Sequence, residues 1–278
     1  MLQECVPQSV AFSPSVVDMA FNLEHELEFA VTLADIADAI TFPHFESRNF
    51  SVDIKSNNTE VTEVDRATET ALMDLVRTLR PTHSWYGEEH GRGGDVDAEW
   101  TWVIDPIDGT SNFVRGVPIW ATLIGLVHKE RGPVLGFVSA PAMHSRWWGT
   151  VGGDAMFNGH RITVSSINSL ADASLSITEN APWRERGYSD AIKTLKKSVK
   201  RVRGYGDFWQ HMLVAQGAID IAVDVIGLEP YDIAALMPIV KAAGGTLTNR
   251  DGQENWQSDT AITSNTVLHQ FLGDLLRG

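Results

Sequence analysis

The stretch Trp100-Thr-Trp-Val-Ile-Asp-Pro-Ile-Asp-Gly-Thr110 constrains this chain more than any other. Trp100 to Ile104 are β-prone and mostly apolar, the pattern of a buried strand. Two carboxylates three residues apart, Asp105 and Asp108, end it. Pro106 between them fixes its own φ and removes a backbone N–H, leaving carbonyl oxygens such as that of Ile107 free to act as ligands. Gly109 and Thr110 then open a turn or short helix whose N–H groups can receive an anion. Carboxylate and carbonyl oxygens are hard donors that suit Mg²⁺ or Mn²⁺ rather than a thiophilic metal. Metal carboxylates beside an anion cradle suggest phosphate chemistry. An isolated acidic turn is the competing reading of the same residues.

Composition narrows the field. The 278 residues, 43% of them hydrophobic, allow one large or two small packed domains. A formal charge of −14 argues against nucleic acid, which needs a Lys/Arg surface. No segment approaches the roughly 20 uninterrupted apolar residues needed to span a membrane. The single Cys5 leaves no internal disulfide framework and fits a reducing compartment. Residues 1–18 hold no Lys or Arg, so the charged start of a secretory signal is absent, and Met19 is an equally good start. Residues 1–20 are expected to be a poorly ordered extension and the protein cytoplasmic.

Leu23 to Ile40 carries apolar residues at helical spacing, with Pro43 as its stop. Residues 50–59 read as an exposed polar loop. A second helix is expected from Thr62 to Leu79, with Asp65 in the first turn of its buried face beside Glu69. An acid there also complements the helix dipole. Ser84 to Gly87 is a short apolar run leading into a turn with two acids, Glu88 and Glu89, which such turns usually expose. Gly91 to Glu99 reads as a loop. Ile119–His128, Pro133–Ala140 and Arg146–Val151 are expected strands, and Gly152 to Gly159 a turn between two halves, 21–158 and 159–278. The second half alternates strand and helix: strands at 173–178, 219–225, 245–248 and 261–264, helices at 189–200, 207–217, 232–243 and 266–276. Pro238 is expected to bend the third of these helices.

Thr62-Glu-Val-Asp65, Gly87-Glu-Glu89, Asp105-Pro-Ile-Asp-Gly-Thr110, Phe157-Asn-Gly159 and Tyr231-Asp232 with the later Ala-Gly-Gly245 stand in the order and approximate spacing of the inositol monophosphatase family. The resemblance covers residues 22–278. Within that family, Val114 to Thr122, Ser139-Ala-Pro141, Arg146-Trp-Trp148, Arg203-Gly-Tyr-Gly-Asp207 and Gly227 to Asp232 are most similar to the histidinol-phosphate phosphatases. The resemblance implies an α/β (α+β) fold of layered αβαβα type, with the site between the halves. It implies hydrolysis of a small phosphorylated substrate, histidinol phosphate of histidine biosynthesis, by two or three Mg²⁺ ions, Mn²⁺ being possible, and a homodimer. By the same resemblance Glu88, Asp105 and the Ile107 carbonyl hold one metal, and Asp105, Asp108 and Asp232 a second, with a third near Glu88. Asp65 and Thr110 orient the attacking water, and the Gly109 and Thr110 N–H groups hold phosphate.

Two departures leave alternatives open. Tyr231 stands where the family usually has Trp, and the spacing from Asp224 to Asp232 is a residue longer than usual. Asp224 or Glu229 therefore fills the substrate-contacting position. Asp207 is a third substrate candidate, although Asp207 and Gln210 also have the spacing of a helix capping box. An inositol, fructose-bisphosphate or nucleotide phosphatase is the alternative within the fold, and a non-catalytic cation-binding protein the alternative outside it. Cys5 lacks the nearby Arg of a cysteine phosphatase. Asp105 and Asp108, three positions apart and in the middle of the sequence, do not fit the early, closely spaced acids of an aspartyl-phosphate mechanism.

Overall fold

The apolar strands and amphipathic helices sort into five layers in the computed structural model, which describes residues 16–55, 59–178, 189–225 and 227–276. Residues 1–15 of the expected extension, with Cys5, and the tip of the 50–59 segment, residues 56–58, lie outside the described residues. The first layer is α1 (Val16–Ser47) and α2 (Glu63–Leu79). They cover one face of an eight-stranded sheet whose members are β3 (Ser84–Gly87), β4 (Gly91–Gly93), β5 (Trp100–Asp108), β6 (Ala121–His128), β7 (Gly132–Ala140), β8 (Ser145–Thr150), β9 (Met156–Phe157) and β10 (His160–Arg161). Their spatial order is β10-β9-β8-β7-β6-β5-β3-β4. Ala30, Leu33, Ala34 and Ala37 of α1 pack with Leu72 and Val76 of α2 on Trp102, Ile104, Ile124 and Leu135 of the sheet. Arg146 on β8 pins α1 from outside, binding Asp35 at 2.7 Å and Asp38 at 2.5 Å, while Ser139 donates to Asp38.

The middle layer is α5 (Asp207–Ala215) and α7 (Leu236–Ala242), buried on both sides. Beyond it lies a five-stranded sheet ordered β12-β11-β13-β15-β14, built from β11 (Ser174–Ile177), β12 (Arg201–Arg203), β13 (Ile221–Val225), β14 (Gly245–Thr248) and β15 (Thr260–Asn265). The last layer, α4 (Ser189–Ser198) and α8 (Thr266–Leu276), sets Ile192, Leu195, Leu268 and Leu272 against Leu175, Ile221 and Val223. The αβαβα arrangement is as expected. The first sheet runs on to Arg161, through a tight β9–β10 turn at Asn158 and Gly159, both at positive φ.

The structure corrects several local expectations. Pro43 does not stop α1, which runs to Ser47. The helix continues because Phe45, beyond the proline, packs on Phe113 and Trp120 at centroid distances of 5.6 and 5.3 Å. The 50–59 segment is no simple loop: β1 (Val52–Ile54) pairs with β2 (Glu60–Thr62). Gly91–Gly93 is a strand paired with β3. The 152–159 turn contains β9. The 232–243 helix is two helices, α6 (Pro230–Ile233) and α7, parted at Ala234 and Ala235. Pro238 thereby falls in the first turn of α7, where a missing N–H leaves no intrahelical bond unmade.

Close approach between layers is set by glycine. A Cβ on Gly136 of β7 would sit 1.8 Å from the Ala235 carbonyl oxygen, a backbone atom that cannot swing aside. Gly136→Ala is therefore expected to cost about 3 kcal/mol or more by overpacking, a fall in Tm of about 5–10 °C. Gly204→Ala, whose new Cβ would meet only the Ile177 carbonyl at 3.4 Å, is the control and should leave Tm nearly unchanged. Thermal melts of the two variants decide whether α7 docks as tightly as described.

Candidate active site

Strand β5 supplies the first two acids, and an irregularity puts them together. In a regular strand, residues three apart point to opposite faces. Here Asp105 pairs with Leu123 and Asp108 with Ala121, so β5 spends three residues where β6 spends two. That bulge brings both carboxylates to the same side. The strand does not end at Asp105, as expected from the sequence, but pairs through to Asp108. Asp105 accepts the Ile107 N–H at 3.0 Å, and Asp108 accepts the Phe208 N–H at 2.8 Å.

The third acid comes from the other half of the chain. Pro230 occupies the first turn of α6, and Asp232 reaches back to accept the Glu229 N–H at 2.7 Å. Carboxylate oxygens of Asp105, Asp108 and Asp232 all lie within 4.8 Å of one another. Burial, followed by the charges of neighbouring acids, pushes the pKa of Asp105 well above the usual carboxylate range. Asp108 and Asp232 are raised in the same direction, again chiefly by burial. Three clustered acids, Asp105 buried and Asp108 and Asp232 half-buried, fit a divalent cation, which removes their repulsion and takes hard oxygen donors.

A cavity of about 290 Å³ opens beside them, bordered by Glu88, Ile107, Gly109, Thr110, Glu229 and Tyr231 as well as the three acids. Gly109 has φ +84°, a left-handed value that suits glycine, and turns the backbone into α3 (Thr110–Arg115). Thr110 Oγ1 lies 3.1 Å from Asp65 Oδ1 and 3.0 Å from the Ile107 carbonyl oxygen. Asp65 is buried as the third residue of α2 and closes a capping box with Thr62, whose N–H it accepts at 2.8 Å and whose hydroxyl it accepts at 2.5 Å. Those bonds occupy Oδ2 and leave Oδ1 for Thr110. Burial pushes the Asp65 pKa up to about 6, against the Thr62 bonds and with the help of the Glu89 and Glu88 charges.

Glu88 borders the cavity but is not one of the three clustered acids; its Oε1 binds Lys55 Nζ at 2.7 Å. Lys55, expected in an exposed loop, binds Glu89 at 2.6 Å as well, and the Glu89 side chain is only 6% exposed. Glu89 is therefore not the surface acid expected of such a turn. Glu69, buried on α2, accepts the N–H groups of Glu89 and His90, both at 2.7 Å, and so shapes the turn.

Asp207, Asp224 and a further acid-lined space lie behind Asp108 and Asp232. A second cavity, of about 190 Å³, shares those two residues and is walled by Asp207, Phe208, His211 and Asp224. Asp207 accepts the Asn112 amide at 2.9 Å. The expected Asp207–Gln210 capping box does not form. Gly206 is the N-cap, and the Gln210 amide joins Ser176 to Asp224 instead. The structure thus brings Asp207 and Asp224 into one chamber and sets Glu229 at the mouth of the other.

Residues 22–276 match the model of the inositol monophosphatase family. The chain belongs to the inositol monophosphatase family. It is 42% identical to a histidinol-phosphatase of Streptomyces coelicolor over 255 residues, covering 89% of this chain and 95% of that one. A Mycobacterium tuberculosis histidinol-phosphatase is 41% identical, with 88% and 95% covered. Among solved structures, a Thermotoga maritima IMPase is similar with a TM-score of 0.80 and 31% identity, over 91% of this chain and 97% of that one. Lys55, Glu69, Asn112 and His211 escaped the family-motif reading of this site. Glu69 had a signal, four residues after Asp65 on the same buried helix face. The other three are set only by long-range packing.

The raised acids give the site a pH signature. A carboxyl whose pKa is higher folded than unfolded holds its proton more tightly when folded. For Asp65 that stability is full below its ordinary 3.8 and is lost as pH rises through about 6, roughly 3 kcal/mol at most. Buried His211, whose pKa is pushed below the ordinary value, contributes stability of the opposite slope, so the comparison is made with Asp65→Asn. In chelator, the Tm of the wild type relative to that variant should fall from pH 5 to 7.5, and a relative Tm that rises through this window would overturn the assignment of Asp65 as a buried acid with a raised pKa.

Proposed function

We propose that this chain is a histidinol-phosphatase, a metal-dependent phosphomonoesterase that releases histidinol and phosphate by attack of water. The observation that carries the reading is the meeting of Asp105, Asp108 and Asp232, from two halves of the chain, beside the Thr110–Asp65 pair. Similarity above 40% to two histidinol-phosphatases over nearly their whole length supports the substrate.

In this reading Asp105, Asp108, Asp232, Glu88 and the Ile107 carbonyl hold two or three Mg²⁺ ions, with Mn²⁺ as a substitute. The metal, when bound, polarises the phosphoryl group and lowers the pKa of the attacking water. Asp65 accepts from Thr110, and together they orient that water and take its proton. The Gly109 and Thr110 N–H groups, at the start of α3, face the phosphate oxygens. Because transfer through a loose transition state needs little covalent help, positioning and neutralised charge supply most of the rate. Among the described residues no helix is long and apolar enough to cross a membrane. The reading carries with it a cytoplasmic homodimer, which light scattering would test.

Phosphate release from histidinol phosphate, inositol 1-phosphate and fructose 1,6-bisphosphate, with Mg²⁺ and with chelator, tests the function. Histidinol phosphate should be the best substrate, and chelator should abolish turnover of all three. Activity that survives exhaustive chelation would overturn the mechanism. A preference for either other substrate would move the chain to another activity of the same fold.

Two substitutions test the roles. Thr110→Val keeps the shape and removes the hydroxyl, so kcat should fall by about 10²-fold or more with KM little changed. A normal kcat with a raised KM would make Thr110 a phosphate contact only. Asp105→Asn should cost more turnover than Glu89→Gln, because Asp105 belongs to the acid cluster while Glu89 is held against Lys55. Equal losses would place Glu89 among the metal ligands.

A further inference from the structure

Strand β8 sends its two adjacent tryptophans to opposite sides, because successive side chains of a strand alternate. Trp147 is buried against Phe157 and Phe208, between the sheet and the middle layer. Trp148 lies on the α1 side, half-buried, and stacks on buried Phe137 of β7 with centroids 5.8 Å apart. α1 packs on β6 and β7, and beside it, over β8, a cavity of about 490 Å³ remains. It is larger than either cavity at the acid cluster and shares no lining residue with them.

We propose that this cavity is a second ligand site, built for an organic ammonium ion that carries an aromatic ring. Its volume falls in the range of small-molecule pockets. Leu27 and Val31 of α1 face Phe137 and Trp148 of the sheet across it, an apolar slot that suits a flat ring. Trp148 also offers a π-face, which attracts a cation. The proposal does not depend on the phosphatase reading, since no lining residue belongs to that site.

The rim fixes the sign of the ligand. Glu24 and Glu28 line the cavity, are exposed, and stand four residues apart on α1, where like charges disfavour a helix. A cation between them relieves that repulsion. Their neighbour Glu26 is already answered by Arg80 at 2.8 Å. Among the described residues neither Glu24 nor Glu28 meets a Lys or Arg, and the His25 ring lies 3.7 Å from Glu28. Arg146, the basic residue of the lining, gives no net positive charge, because Asp35 and Asp38 both bind it. An anion entering the slot therefore meets an acidic rim, and a neutral ring leaves the glutamate pair unrelieved.

Isothermal titration of the full chain with phenethylamine, in saturating Mg²⁺ so that the acid cluster is occupied, tests the site. One equivalent should bind. Phenylacetate, with the same ring and the opposite charge, and propylamine, with the charge and no ring, should each bind about tenfold more weakly or not at all. Glu24→Gln combined with Glu28→Gln should weaken phenethylamine about tenfold, the loss of one charge-assisted contact. Trp148→Leu should weaken it about as much through lost stacking. None of these residues lines the active site, so phosphate release should stay at the wild-type rate. The exposed glutamates carry the test if Trp148→Leu does not fold. Absence of phenethylamine binding, equal binding of phenylacetate, or binding that survives the glutamate substitutions would overturn the proposal. A dimer in light scattering that the same substitutions dissociate would assign this face to a second copy and overturn it too.

Discussion

Mutual repulsion among clustered acids is the constraint on which the rest of this structure depends. Asp105, Asp108 and Asp232 are brought within 4.8 Å of one another, although burial and neighbouring charge both oppose their ionisation. Such a cluster stays in place only if the backbone around it is held from elsewhere. Each acid accepts a backbone N–H, from Ile107, Phe208 and Glu229 respectively, so its direction is fixed without a cationic side chain. The rest is packing. Trp102 and Ile104 anchor β5 under α1 and α2, and Ile233 locks α6 into the middle layer. The energy of a conventional hydrophobic core is thereby used to hold an arrangement that is unfavourable until a cation enters.

Local structural devices also serve the site. The bulge in β5 re-aims Asp108 to the side of Asp105. The capping box of α2 uses one oxygen of Asp65 and leaves the other on Thr110. Asp232 satisfies the start of α6 with one oxygen while facing the cluster. In each case a bond that a helix end or strand needs in any event selects the orientation that the chemistry needs. The structural and functional accounts of Asp65 and Asp232 are therefore not competitors. Replacing either acid removes a cap and a site group together, and stability and turnover must both be measured to apportion the loss.

Much of this was legible in the sequence, for reasons that can be stated. The β5 strand, α2 with its first-turn acid, and the final strand and helix announce themselves by local pattern. The three clustered acids were found because their motifs are short and contiguous. What failed was decided at long range. Pro43 reads as a helix stop until Phe45 is seen against Phe113 and Trp120. Lys55 reads as a loop residue until the β1–β2 hairpin is seen to carry it to Glu88 and Glu89. The Asp207–Gln210 spacing matches a capping box, but Gly206 already caps α5, and both side chains are committed elsewhere. Local spacing states what a residue can do. Competing partners from other layers decide which of those things it does.

The two halves of the chain contribute unequally to this division of labour. The eight-stranded half supplies Asp65, Glu88, Asp105, Asp108 and Thr110, and with them most groups that would touch metal, water and phosphate. The five-stranded half supplies Asp232, and it also supplies Asp207, His211 and Asp224 to the second cavity, while the Phe208 N–H of the same helix reaches Asp108 directly. Changes to the side chains lining that cavity alter its shape and charge without touching the residues of β5 and α2 that carry Asp105 and Asp65. Asp232 sits where the two requirements meet, because it borders both cavities. It joins the second cavity to the acid cluster, and α6 is held between β5 and α7 through buried Ile233 and Ala234.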